Sequence, residues 1–232
     1  MIARVPTFVR DYLAALGARR RVGRLGAMSD ADALAFARTF CWRGGHIQPG
    51  QANEEILWLL ERVRAMQPRV VVEIGTDEGG RLFLWTRAAA GDAHLVAIDT
   101  RPLGRLGRLS VYAVVRRCFA RDGQRVDLLF TRDSHDPRTV EQLTRLLGAA
   151  PVDFLFIDGD HSYDGVKQDY ELFAPLAREG AIVALHDVGA ADAPGVMQFW
   201  SELTETHRSE ELVASGYGIG VVHVGDGART TA

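Results

Sequence analysis

The chain has 232 residues, 47% hydrophobic and 25% charged, a balance that suits one globular domain with a real core. Its formal charge of -3 gives no global attraction to nucleic acid or an anionic membrane, and no apolar run approaches the ~18 residues of a membrane span. Cys41 and Cys118 form neither a CxxC pair nor a ligand cluster, and Arg4, Arg10 and Asp11 interrupt the start of the chain where a signal peptide would be apolar; a cytoplasmic location is expected.

Ile2, Val5, Val9, Tyr12, Leu13 and Leu16 recur at helical spacing and predict a first helix ending at Gly17. Arg4, Arg10, Arg19, Arg20, Arg21 and Arg24 make this arm basic. A second amphipathic helix is expected over Ala31–Phe40 and a third over Gln51–Met66, stopped by Pro68. Residues 1–66 thus read as N-terminal helices, able to act as a cap or lid or to build a homo-oligomer. From Val70 the pattern changes. Val70–Ile74, His94–Asp99, Asp127–Thr131, Phe154–Asp158 and Ala181–His186 are short apolar, β-branched runs, as expected for strands covered on both faces. Helical stretches separate them: Val111–Phe119 after a basic loop, Arg101–Arg108, and Thr139–Leu147, with Asp136–Pro137 as its start and Gly148 as its stop. Strands alternating with helices imply right-handed crossovers and a parallel sheet. Glu211–Ala214 and Ile219–Val224, joined by Ser215-Gly-Tyr-Gly218, read instead as a hairpin. The expected fold is α/β, Rossmann-like and doubly wound: a mostly parallel seven-stranded sheet with an antiparallel edge strand, over residues 67–225, and a disordered tail over 226–232.

The first strand leads into Glu73-Ile-Gly75-Thr76-Asp-Glu-Gly79-Gly80. Glycine at a strand's end lets backbone approach a ligand closely. A dinucleotide fingerprint needs glycine where Asp77 stands, because pyrophosphate rests on that backbone. A carboxylate there repels diphosphate, so the acidic-x-Gly-x-x-x-Gly pattern suits a cationic, phosphate-free ligand such as S-adenosylmethionine. Asp99, followed by Thr100, ends the second strand at the distance where a carboxylate can accept ribose hydroxyls, and Asp133 and Ser134 follow the third strand, where polar groups can border an adenine. All stand at carboxyl ends of parallel strands, where open α/β sheets bind ligands.

The fourth strand ends Ile157-Asp158-Gly-Asp-His161 and the fifth Leu185-His186-Asp187. Adjacent strands would bring these groups together. Asp158, His186 and Asp187 could hold a divalent metal, Mg²⁺ for oxygen-rich ligation or Mn²⁺ with the histidine. His161, with an unperturbed pKa near ~6.5, suits a general base that removes a hydroxyl proton; His186 is the alternative.

From Val70 to Val188 the chain resembles the class I S-adenosylmethionine-dependent methyltransferases. The resemblance rests on Pro151-Val-Asp-Phe-Leu-Phe-Ile-Asp158-Gly-Asp-His161-Ser-Tyr163-Asp-Gly-Val, on Ala181-Ile-Val-Ala-Leu-His186-Asp187-Val, and on Arg132-Asp133-Ser134-His135-Asp136-Pro137. It covers about half the chain. The chain is also similar to the metal-dependent sugar O-methyltransferases of macrolide biosynthesis and to catechol-type enzymes. This resemblance implies an acid like Asp158 and an acidic pair on a metal, with His161 matching the sugar enzymes' base; an acid is usual where His186 stands. It further implies a small-molecule hydroxyl acceptor, a sugar or secondary metabolite; the charge balance already argues against nucleic acid or membrane as partner. A Rossmann-like oxidoreductase and a non-catalytic cofactor-binding subunit are the competing readings.

Overall fold

The computed structural model describes residues 7–43, 45–100, 111–130, 132–214 and 216–227. The basic loop Arg101–Arg108 lies outside them. Three helices come first: α1 (Thr7–Val22), α2 (Asp30–Thr39) and α3 (Asn53–Met66). Ser29 caps α2, its hydroxyl accepting the Asp32 N–H at 3.1 Å. Two-residue strands β1 (Cys41–Trp42) and β2 (Gly45–His46) pair antiparallel between α2 and α3. Gly17 does not end α1. The helix continues to Val22 because Ala15, Ala18 and Val22 keep one stripe buried, and α1 packs on α5. That burial outweighs the ~1 kcal/mol that glycine costs inside a helix.

The sheet follows the predicted alternation: β3 (Val70–Ile74), α4 (Gly80–Ala88), β4 (His94–Asp99), α5 (Val111–Arg116), β5 (Arg125–Phe130), α6 (Pro137–Leu147), β6 (Val152–Ile157), α7 (Tyr163–Phe173), β7 (Ala177–His186), α8 (Pro194–Thr206), β8 (His207–Leu212) and β9 (Ile219–Gly227). Among the described residues seven strands run in the order β5-β4-β3-β6-β7-β9-β8. Pairings from β5 through β7 are parallel, while β9 is antiparallel to both β7 and β8. The fold is the Rossmann-like, doubly wound α/β architecture. The antiparallel strand is β9, with β8 outside it. One detail differs from expectation: β9 takes in Asp226 and Gly227, which the sequence assigns to the tail. Pairing of Gly227 with His207 across a bulge carries the strand that far.

Strand alternation feeds two apolar layers. One packs Leu59, Phe83, Trp85 and Phe119 on the face of the first helices; the other packs Leu143, Phe173, Phe199 and Trp200 below α6–α8. In β3, Val71 joins the first layer and Val70, Val72 and Ile74 the second. The chain moves outward from β3 to β5 on one side and from β6 on the other. The carboxyl ends of β3 and β6 therefore flank the switch point, the crevice where such sheets take ligands.

Candidate functional site

At that crevice lies a cavity of about 870 Å³. Gly75 opens its wall. With φ +78°, it sits where L side chains are strained, and a Cβ there would come within 1.9 Å of the Asp158 carbonyl oxygen. The tips are sewn together by Gly75 N–H donating to Ile98 O and Asp158 N–H donating to Ile74 O, each at 2.9 Å. The turn beyond Gly75 closes on Asp99, whose Oδ2 accepts the backbone N–H groups of Thr76 and Asp77 at 3.0 Å each. Gly80 serves a second close approach: a Cβ there would stand 2.2 Å from Ile47 O, in the segment leading to α3.

Beneath the turn lies a buried ion network that sequence patterns did not reveal. Arg81, 3% exposed, reaches Asp158 Oδ2 at 2.7 Å and Glu73 Oε1 at 3.4 Å, and donates to Gly75 O. Trp85 Nε1 donates to Glu73 Oε1 at 3.1 Å. Burial pushes the Glu73 carboxyl up to about 7, against the opposing pull of Arg81. Burial works in the same direction on Asp158, yet Arg81 and hydrogen bonds from His161 and His186 hold it well below the usual carboxylate range.

The tips of β6 and β7 meet as their spacing predicts. His161 Nε2 lies 3.4 Å from Asp158 Oδ1 and 3.3 Å from Asp187 Oδ2, with half its side chain exposed. His186 is buried; its Nδ1 lies 3.3 Å from Asp158 Oδ1 and 3.0 Å from Asp187 Oδ1, and its ring stacks on Tyr217. Hydrogen bonding to Asp158 raises the His161 pKa, with Asp187 adding to it. Burial alone would lower His186, but the two carboxylates push it up to about 9. Asp187 holds φ +64°, an uncommon conformation for an aspartate and one that clusters at functional sites. Ligand atoms of Asp158, His161 and Asp187 lie within 4.8 Å of one another, a cluster of donor types that could hold a divalent cation. His186, the histidine that the sequence adds to the ligand set, faces the same two carboxylates through Nδ1. Asp158 offers Oδ1 to such an ion, its Oδ2 being engaged by Arg81 and by Gln51.

Of the expected site residues, Gly75, Asp99, Thr100, Asp133, Ser134, Asp158, His161, His186 and Asp187 line the cavity. Thr76 contributes its amide to the turn. Glu73 faces α4 beneath the floor, and Gly79 caps α4 against Arg116. His135 also lines the cavity, its Nε2 3.3 Å from Asp169, a fully buried carboxylate that burial pushes up to about 6. Gln51 reaches in from ahead of α3.

The strand order and the ligand crevice at its switch point are those of the class I methyltransferase fold. Residues 72–188 match the methyltransferase domain family, and the chain belongs to it. The chain is 31% identical over 157 residues to the uncharacterised protein y4gI of Sinorhizobium fredii, an alignment covering 66% of this chain and 16% of that protein. It thus spans 16% of that relative's length. Its fold is similar to cofactor-bound Rv0187 from MTB, at TM-score 0.58 and 19% identity, covering 97% of this chain and 93% of that one. It is also similar to the O-methyltransferase TomG of Streptomyces achromogenes, involved in tomaymycin synthesis and solved with SAM, at TM-score 0.57 and 22% identity over 90% of this chain and 96% of that one. Among the described residues no helix is long and apolar enough to cross a membrane.

Proposed function

We propose that the chain transfers a methyl group from S-adenosylmethionine to a hydroxyl of a small molecule, a sugar or secondary metabolite. The observation that carries this reading is the charge of the cavity wall: among the described residues, Asp77, Asp99, Asp133, Asp158, Asp160, Asp187 and Asp192 line it against Arg81 and Arg132 as permanent cations. Such a wall attracts a sulfonium and repels a diphosphate. The dinucleotide alternative is correspondingly weakened, and the SAM bound by TomG supports the donor.

In this reading Asp133 and Ser134 border the base, Asp99 meets the ribose, and the Gly75 turn admits the amino-acid arm. The sulfonium then faces the tips of β6 and β7, where the acceptor hydroxyl approaches in line. The protein supplies placement and removes water. His161, half-exposed at the rim and oriented by Asp158 and Asp187, accepts the hydroxyl proton. A divalent cation, if bound, would be held by Asp158 and Asp187 with His186, leaving His161 as the base, and would supply polarisation of that hydroxyl. The test is His161→Ala assayed with methyl-labelled S-adenosylmethionine over a panel of hydroxyl acceptors. A loss of about 10²–10⁴ in turnover with donor affinity retained is expected; full turnover removes the residue's role.

A further inference from the structure

Gln51 belongs to the strap between β2 and α3, and the strap is fixed rather than free. Arg38 of α2 donates to the carbonyls of Pro49 and Gln51 and to Asn53 Oδ1 at 3.0 Å, and Gln48 Nε2 returns a bond to Arg38 O at 2.8 Å. The bare face of Gly80 lets the strap press onto the start of α4. This delivers Gln51, 1% exposed, to the cavity wall. Its Nε2 donates to Asp158 Oδ2 at 3.2 Å. With its NH₂ turned toward that carboxylate, which also faces Arg81, the amide turns its carbonyl away. The carbonyl oxygen Oε1 is buried and has no hydrogen-bond partner among the described residues. Buried polar atoms of this kind ordinarily find a partner.

We infer that Gln51 Oε1 accepts a hydrogen bond from the α-ammonium of the donor's amino-acid arm, making the N-terminal segment part of the donor site. The inference rests on the methyltransferase reading above. With the base at the β5 tip and the ribose at the β4 tip, the arm extends past Gly75 on β3 toward Asp158 on β6, about 14 Å across the sheet at the usual spacing of strands. Gln51 lies over that end, and its vacant group is an acceptor. An ammonium is the part of the arm that can donate to it; the carboxylate cannot.

The experiment is calorimetry on the full chain with S-adenosylhomocysteine, with its deaminated analogue, and with 5′-methylthioadenosine, which lacks the arm. Gln51→Leu is expected to weaken S-adenosylhomocysteine at least fivefold. It should leave the deaminated analogue and 5′-methylthioadenosine within twofold of the wild-type values. Gln51→Met, which keeps the side chain's length, is read in parallel and decides the matter if the leucine variant does not fold. Unchanged affinity for S-adenosylhomocysteine in a folded variant overturns the inference while leaving the methyltransferase reading intact. Equal weakening of all three ligands also overturns it, because the residue would then act only through the wall. A wild-type chain that binds none of the three fails the methyltransferase reading itself.

Discussion

Replacing Arg81 with methionine removes the cation that pairs with Asp158 and Glu73 beneath the cofactor turn. Three groups lose their partner: Asp158, Glu73 and the Gly75 carbonyl. Breaking a buried ion pair from one side costs about 3–5 kcal/mol. The lower end is expected here for two reasons. Glu73, already raised to about 7, can take up a proton, and Asp158 keeps Gln51 and two imidazoles. A loss of about 3 kcal/mol lowers the melting temperature of a domain this size by roughly 6–12 °C. Thermal melts and urea unfolding of Arg81→Met, Glu73→Gln and the double variant supply the assay. Because Glu73 is uncharged in the double variant, the cycle should show a coupling of about 1 kcal/mol or more between the two residues. An Arg81→Met penalty below about 1 kcal/mol, or strictly additive single effects, would refute the claim that this arginine holds the floor of the site.

Gly75→Ala sets a methyl group against the Asp158 carbonyl at a positive φ, so the β3 and β6 tips must part; donor binding should fall more than tenfold, as read by equilibrium dialysis. An alanine variant that binds normally would show that the tips do not shape the donor site. Asp169→Asn tests the buried acid behind His135. Burial raises the Asp169 pKa from 3.8 to about 6, so its folded form favours the proton: the stability it gives is present below pH 3.8 and is lost as pH rises through 6. The amide variant should gain on the wild type by up to about 3 kcal/mol between pH 4 and 7. Urea midpoints that keep a constant difference across that range would contradict the assignment. His135, Asp133 and Asp160 face the same group, and all three are present in both proteins.

Most strands and the tips that carry chemistry were legible because they follow short-range rules. Five apolar β-branched runs, four of them ending in a polar residue, marked the ends of the parallel strands to within one residue, and Asp136–Pro137 and Gly148 bounded α6. What escaped depends on long-range packing. α1 outruns Gly17 because α5 covers it, and β1 and β2 are too short to show a period. Strand alternation sets Glu73 on the same face as Val71, under α4, and the first residue after Glu73 to line the cavity is Gly75. A signal for Arg81 did exist, a charge inside the run Gly80–Ala88 that is buried throughout, since such a charge needs a buried partner. Gln51 gave none. It meets Asp158 across 107 positions, a contact that no local pattern encodes.

The claim on which the rest depends is that the aspartate-lined crevice takes a nucleoside bearing an amino-acid arm and no phosphates. Calorimetric titration of the full chain with S-adenosylhomocysteine, with NADH as the competing ligand, tests it most directly. The account predicts saturable binding near one ligand per chain, weakened by Asp99→Ala and undisturbed by NADH. Silence with S-adenosylhomocysteine at millimolar concentration, or displacement of it by NADH, would contradict it.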